Sequence, residues 1–229
     1  MSNDIKKSAD TAVATATNVA ENLLRYGRGA ANRTFIGDLM LFSKYGEYRA
    51  GQDKLEIPLK SRFSVYIDSF CIGWQRWEDG RVVEQEMGPV TGGYIPRARK
   101  DLGHLDKSKW ESFEDGREKD PWAFTNTIVF VSSDKDSPKF YTFSTTSKGG
   151  IGALGKLAID CGEHLRQKPG ESAIIELNRS SYPHPDYGEV RIPVINIVGW
   201  MQTKDLPPIE GDSSSSTLLA DQSAATPDY

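Results

Sequence analysis

Flat rings and fixed cations stand close together at three places in this chain. That pairing is what an unpaired polynucleotide requires, since bases stack on aromatic faces while phosphates follow a cationic groove. The first place is Trp74-Gln75-Arg76-Trp77, with the basic run Arg97-Ala98-Arg99-Lys100 further on. The second is Tyr141-Thr142-Phe143, where an extended backbone sends both rings to one face. The third is the stretch from Arg179 to Tyr187, which adds Tyr182 and His184. Packing competes at each place. Phe140 alternates with Tyr141 and Phe143, so either face can be the core. Trp74 and Trp77 fall on opposite faces of a regular strand, so at least one belongs inside. Asp101 follows the basic run, and residues 91–126 hold seven bases and seven acids, the composition of an ion-paired, solvated surface.

A fourth segment, Ser147-Lys148-Gly149-Gly150-Ile151-Gly152-Ala153-Leu154-Gly155-Lys156-Leu157, follows a strand pattern and opens a helical one. Backbone N–H groups at such a junction attract anions. Gly150 to Lys156 matches G-x-x-x-x-G-K, but Leu157 stands where Mg²⁺ needs Ser or Thr. In a second register, Lys148 to Gly152 resembles the variant loop of partition-type ATPases, with Ala153 and Leu154 in place of its Lys and Ser/Thr. The segment thus reads as a close-packed helix start, or as a phosphate contact made by Lys148, the loop amides and Lys156 without hydrolysis. Cys161 and His164 share a helix face, and with Cys71 and His104 or His184 they make up a set of zinc-type ligands, but no close cysteine pair supports a zinc site. No nucleophile or metalloprotease motif is present in the sequence, and no enzyme or cofactor is expected.

The 229 residues include 5 Trp, 9 Tyr and 9 Phe, enough aromatic mass to exclude a wholly disordered chain. No apolar run approaches membrane-spanning length and the N-terminus lacks a signal-type apolar block, so a cytoplasmic protein without a membrane segment is expected. From Thr203 onward, Lys204 stands against five acids, which accounts for the whole formal net charge of −4; the preceding 202 residues hold 27 bases and 27 acids. The body is therefore neutral, with room for a local basic face.

The elements that would position these groups follow from periodicity. Residues 1–33 carry a weak helical spacing with an alanine face, a mobile or loosely docked segment. Residues 34–60 show no clear period. Phe63, Val65 and Ile67 alternate in a strand that runs on to Trp77, Asp79-Gly80 makes a hairpin turn, and Val82 to Met87 returns. Residues 88–124 form a long insertion rich in Gly, Pro and charge. Strands follow at Thr127–Val131 and Lys139–Thr145, and then a helix repeating Leu154, Leu157, Ala158, Cys161 and Leu165. A strand at Ala173–Leu177, a turn-rich loop at 178–189 and a strand at Val190–Trp200 complete the body; the last is apolar on both faces, which predicts a central place. The expected fold is mainly β with one major helix: an OB-like five-stranded barrel over residues 34–202 with an insertion at 88–124, or alternatively an α+β sheet with one covering helix.

The chain closes on Asp205-Leu206-Pro207-Pro208, four serines and a terminal Asp228-Tyr229, an acidic and flexible composition for residues 203–229. This plan resembles single-stranded DNA-binding proteins with an acidic tail ending in an aromatic residue, especially phage replication types. The set WxxW, GGYIPR, DGREKDPW, YTFSTTSKGG and SYPHPDYG between Trp74 and Trp200 is also similar to conserved proteins of unassigned function in phages and mobile elements. The resemblance implies a non-enzymatic binder of single-stranded DNA in replication or recombination, contacting partner proteins through Asp228 and Tyr229. The expected contacts are stacking on Tyr141, Phe143, Tyr182 and Trp74 or Trp77, and phosphate neutralisation by Arg97, Arg99, Lys148, Lys156 and Arg179. The alternatives are a protein-interaction or inhibitor module, and a P-loop-like nucleotide-binding protein.

Overall fold

A computed structural model of the chain describes residues 35–112, 116–134, 136–185 and 188–209. The expected helix within 1–33, Tyr187 and the terminal Asp228 and Tyr229 lie outside these residues. The fold is that of the unit beginning at Gly37.

A short meander comes first: β1 (Asp38–Phe42), β2 (Tyr48–Ala50) and β3 (Leu55–Ile57). The long β4 (Arg62–Glu78) then turns through Asp79-Gly80 into β5 (Arg81–Pro89). Both turn residues have positive φ, 48° and 72°, the backbone of a tight hairpin turn that Asp and Gly tolerate. After the insertion come β8 (Trp122–Ser132), β9 (Phe140–Thr145), the helix α1 (Lys148–Gln167), β10 (Glu171–His184) and β11 (Gly188–Gln202). Among its described residues the insertion holds two 3-10 turns, Arg99–Asp101 and Lys107–Lys109, and a two-residue pair, β6 (Glu111–Ser112) and β7 (Glu118–Lys119).

The main sheet runs β11-β10-β4-β8-β9-β1-β2-β3, with β5 on the same edge of β4 as β10 but further along. All pairings are antiparallel except β1 with β9. The path has two ends, β11 and β3, so the sheet is open and does not close into the expected barrel. It curls far enough for the Tyr48 hydroxyl, on β2, to donate to the carbonyls of Asn178 and Val194 on β10 and β11 (2.9 and 3.2 Å). The curl has a local cause in β4. The register with β8 slips between Tyr66 and Cys71, and Ser69 Oγ takes over as the acceptor for the Val129 N–H at 2.8 Å.

The mainly β body with one major helix matches the sequence reading, but β1 to β3 arise from the stretch read as having no period, β8 begins at Trp122 inside the expected insertion, and two later strands differ as well. β10 continues through 178–184, the segment expected as a loop, because β11 pairs with it residue for residue to His184 opposite Gly188. β11 is an edge strand rather than a central one. α1 packs against it and Ile195 reaches the core, while Val198 stays exposed on its outer face.

Ser147 caps α1, its hydroxyl accepting from the Gly150 N–H at 3.1 Å. The helix buries Leu154, Leu157 and Cys161, as its spacing predicts, against Phe63, Phe130, Phe143, Ile175 and Leu177 of the sheet. At its other end His164 stacks on Trp200, ring centroids 3.5 Å apart, while its Nε2 meets Glu171 at 2.7 Å. Thr203 to Ile209 stay against the body: the Thr203 N–H donates to Gly170, and Tyr66 donates to the Pro207 carbonyl.

Candidate nucleic-acid interface

Parallel strands finish on the same side. β1 therefore runs into its turn, residues 43–47, beside the point where β9 runs into the start of α1. Both junctions press on the middle of the β10–β11 hairpin. In the turn, Ser43 accepts from Tyr45 and Glu47 N–H, and Gly46 takes a φ of 81°. Gly46 has no side chain because the arginine stems lie there: a Cβ would sit 2.7 Å from Arg191 Cδ and 3.2 Å from Arg179 Cδ. Arg179 in turn donates to the Gly46 carbonyl at 3.3 Å. At the helix start, a Cβ on Gly149 would meet Ile192 Cγ2 at 2.5 Å, and one on Gly150 would meet Thr145 Oγ1 at 2.0 Å. The glycine-lysine segment thus satisfies a packing need at Gly149 and Gly150.

The 43–47 turn brings Lys44 and Tyr45 (59% exposed) to Arg179 and Arg191 on one face of the hairpin, whereas Tyr182 (44%) projects from the opposite face, the one that carries Ile192 and meets the start of α1 after Lys148. Lys44 Nζ lies 5.2 Å from the Tyr45 ring centroid. Arg191 is held by Glu189 at 3.2 Å, and the nearby Arg49 by Glu47 at 2.8 Å. Lys44, Lys148 and Arg179 meet no carboxylate among the described residues.

Of the residues singled out in the sequence, Arg179 meets the 43–47 turn, Tyr182 stands on the other face of the same hairpin and Lys148 opens α1 beside it. Phe143 does not: it is 0% exposed, stacked on Phe130 at 6.0 Å, and therefore a core residue rather than a stacking platform. Tyr141 is 9% exposed, edge-on to Phe63, and burial pushes its hydroxyl pKa up. These expectations fail because β9 lies between two strands and has both faces covered. Trp74 packs edge-on to Phe124 and donates to the Arg97 carbonyl at 2.9 Å. Arg97 grips Glu86, whose carboxyl it holds below the usual carboxylate range. Arg99 chelates Asp120 (2.7 and 2.8 Å) and also donates to the carbonyls of Gly103 and His104. Lys156 pairs with Asp160 at 2.6 Å. Arg97, Arg99 and Lys156 are therefore neutralised within the chain, and none of them bonds to the junction.

Lys44, Tyr45 and Arg191 were not legible as site residues. The first two sit in a stretch without periodicity, and only the curl of the sheet brings them to the hairpin. The sequence also missed Trp110. Its indole N–H donates to the His104 carbonyl at 2.8 Å, and Arg99 and Lys107 approach its ring at 5.9 and 5.7 Å. Trp110 and Trp77 line an open cleft of about 530 Å³ between the β4–β5 hairpin and the insertion.

Among the described residues no group of His, Cys, Asp and Glu is placed to hold a metal ion, and no helix is long and apolar enough to cross a membrane. Cys161 is buried in the core, where desolvation pushes its thiol up to about 11. Comparison with family models, curated proteins and solved structures finds no match.

Proposed function

We propose that this chain binds single-stranded DNA through the junction of the 43–47 turn, the start of α1 and the β10–β11 hairpin. The observation that carries the reading is the contrast in charge pairing. Arg97, Arg99, Lys107, Lys109 and Lys119 of the insertion are bound to carboxylates, whereas Lys44, Lys148 and Arg179 are not, and Lys44 and Arg179 flank the turn that carries the exposed Tyr45. Bases would stack on Tyr45 and Tyr182 while the three cations, with Arg191, follow the backbone. The curled sheet, with its helix between β9 and β10, supports reading the body as an open relative of the OB barrel. On the sequence resemblance, the setting is phage or mobile-element replication or recombination, with the acidic tail contacting partner proteins.

The test is anisotropy of a labelled oligo(dT) at low and moderate salt. With three or four phosphate contacts to a single strand, affinity falls roughly 20- to 50-fold between about 50 and 200 mM salt. Replacing Lys148 and Arg179 together by Ala weakens binding at least tenfold and flattens the salt slope. Replacing Arg97, already neutralised by Glu86, leaves both unchanged. Absence of binding at both salt concentrations overturns the proposal, as does an equal loss in the Arg97 variant.

A further inference from the structure

The cleft between the β4–β5 hairpin and the insertion has a different chemistry from the junction. The register shift at Arg76/Trp77 breaks the alternation of β4, and both residues line the cleft. Trp77 and Trp110 are half-buried and share no ring contact; Arg99 and Lys107 already lie against the Trp110 ring, so the indole left for a flat group is that of Trp77. The surrounding charges largely cancel. Arg76 is bound by Glu84 (3.0 Å) and Glu78 (3.4 Å), Lys119 by Glu111 (2.8 Å) and Lys109 by Asp106 (3.4 Å). Asp79 is left over: it lines the cleft, is exposed at the hairpin turn, and its carboxylate has no partner among the described residues. The lining therefore carries one more negative charge than positive.

We infer that this cleft receives a single arginine side chain from a partner protein. A guanidinium is the group that fits all three features. It is flat and stacks on indole, it is cationic and so answers the surplus carboxylate, and its forked donors match the two oxygens of Asp79. A phosphate meets repulsion here, which separates this site from the nucleic-acid junction. An aliphatic side chain would desolvate the lining carboxylates without replacing their hydrogen bonds. A lysine would supply the charge but not the plane.

The experiment follows the indole N–H resonances of the full-length protein by ¹⁵N-correlated NMR, with Trp77→Phe and Trp110→Phe used for assignment. Acetyl-Gly-Arg-Gly-amide is expected to shift the Trp77 and Trp110 signals saturably, and the citrulline peptide, which keeps the shape and loses the charge, at least tenfold more weakly. Asp79→Asn suits the positive φ of the turn, and the three other indole signals report that the fold is kept; it is expected to weaken the arginine peptide at least tenfold. Equal response to the citrulline peptide, an undiminished response in Asp79→Asn, or no response at millimolar peptide overturns the inference. So does a stronger shift of the same two signals by thymidine monophosphate, which assigns the cleft to the polynucleotide instead. The junction is read by salt-dependent DNA binding, so the two proposals fail separately.

Discussion

At the scale of the residue, Tyr48 has the most consequential position. Its ring is fully buried, edge-on to Phe42 at 4.9 Å, and its hydroxyl spans carbonyls of two strands that its own strand does not pair with. Tyr48→Phe keeps the ring and strands both carbonyls' partner, so a loss of about 1–2 kcal/mol is expected in urea unfolding at neutral pH. Burial raises the Tyr48 pKa well above normal and pushes Tyr66 up to about 12. Unfolded tyrosine titrates near 10. The folded state thus keeps these hydroxyls protonated where the unfolded state loses them. The stability this represents is complete below about pH 10 and is lost as pH rises through the folded values. The urea midpoint should therefore decline from pH 10 upward, and less steeply in Tyr48→Phe. An identical decline in both proteins would remove Tyr48 as its source.

At the scale of the element, the start of α1 separates packing from phosphate chemistry. Gly149 and Gly150 face the stiff β-branched residues Ile192 and Thr145, while Gly152 and Gly155 face open space. Gly149→Ala or Gly150→Ala is expected to cost about 1–3 kcal/mol by overpacking. Gly152→Ala or Gly155→Ala is expected to stabilise by up to about 1 kcal/mol, since alanine is the better helix former. Thermal unfolding of the four variants checks this, and uniform behaviour would contradict the packing account. The same element shows what a sequence can convey. Leu154, Leu157 and Cys161 were legible because helical period and burial coincide. Residues 178–184 were not, because Asn178, the serines and Pro183 read as a loop, and only pairing with β11 makes them a strand.

At the scale of the whole molecule, net charge conceals a division of labour. A neutral body is expected to ignore polyanions, yet here part of the neutrality is built from local pairs: Arg97 with Glu86, Arg99 with Asp120, Lys119 with Glu111. Lys44, Lys148 and Arg179 stand outside that arrangement, as do Lys54, Lys60, Arg81 and Lys100 elsewhere among the described residues. Sequence revealed Lys148, Arg179 and Tyr182 because each sits in a segment with its own signal. It hid Tyr45 and Arg191, whose proximity is a property of the curl, and it offered Tyr141 and Phe143 as exposed because alternation alone does not show that both faces of a strand are covered. Salt should therefore act on function and stability unequally. Raising it from about 50 to 200 mM is expected to weaken the proposed DNA binding steeply while moving the urea midpoint little, because exposed ion pairs contribute at most about 1 kcal/mol each. A comparable salt response in both measurements would deny the division.

The parallel pairing of β1 with β9 also governs the order of assembly. Met40 lies beside Phe143, about a hundred residues downstream. At roughly 5–20 residues per second the ribosome needs about 5–20 s to deliver that neighbour. For that interval the nascent meander β1–β3 has no sheet to join, and the strands that receive the Tyr48 hydroxyl emerge later still.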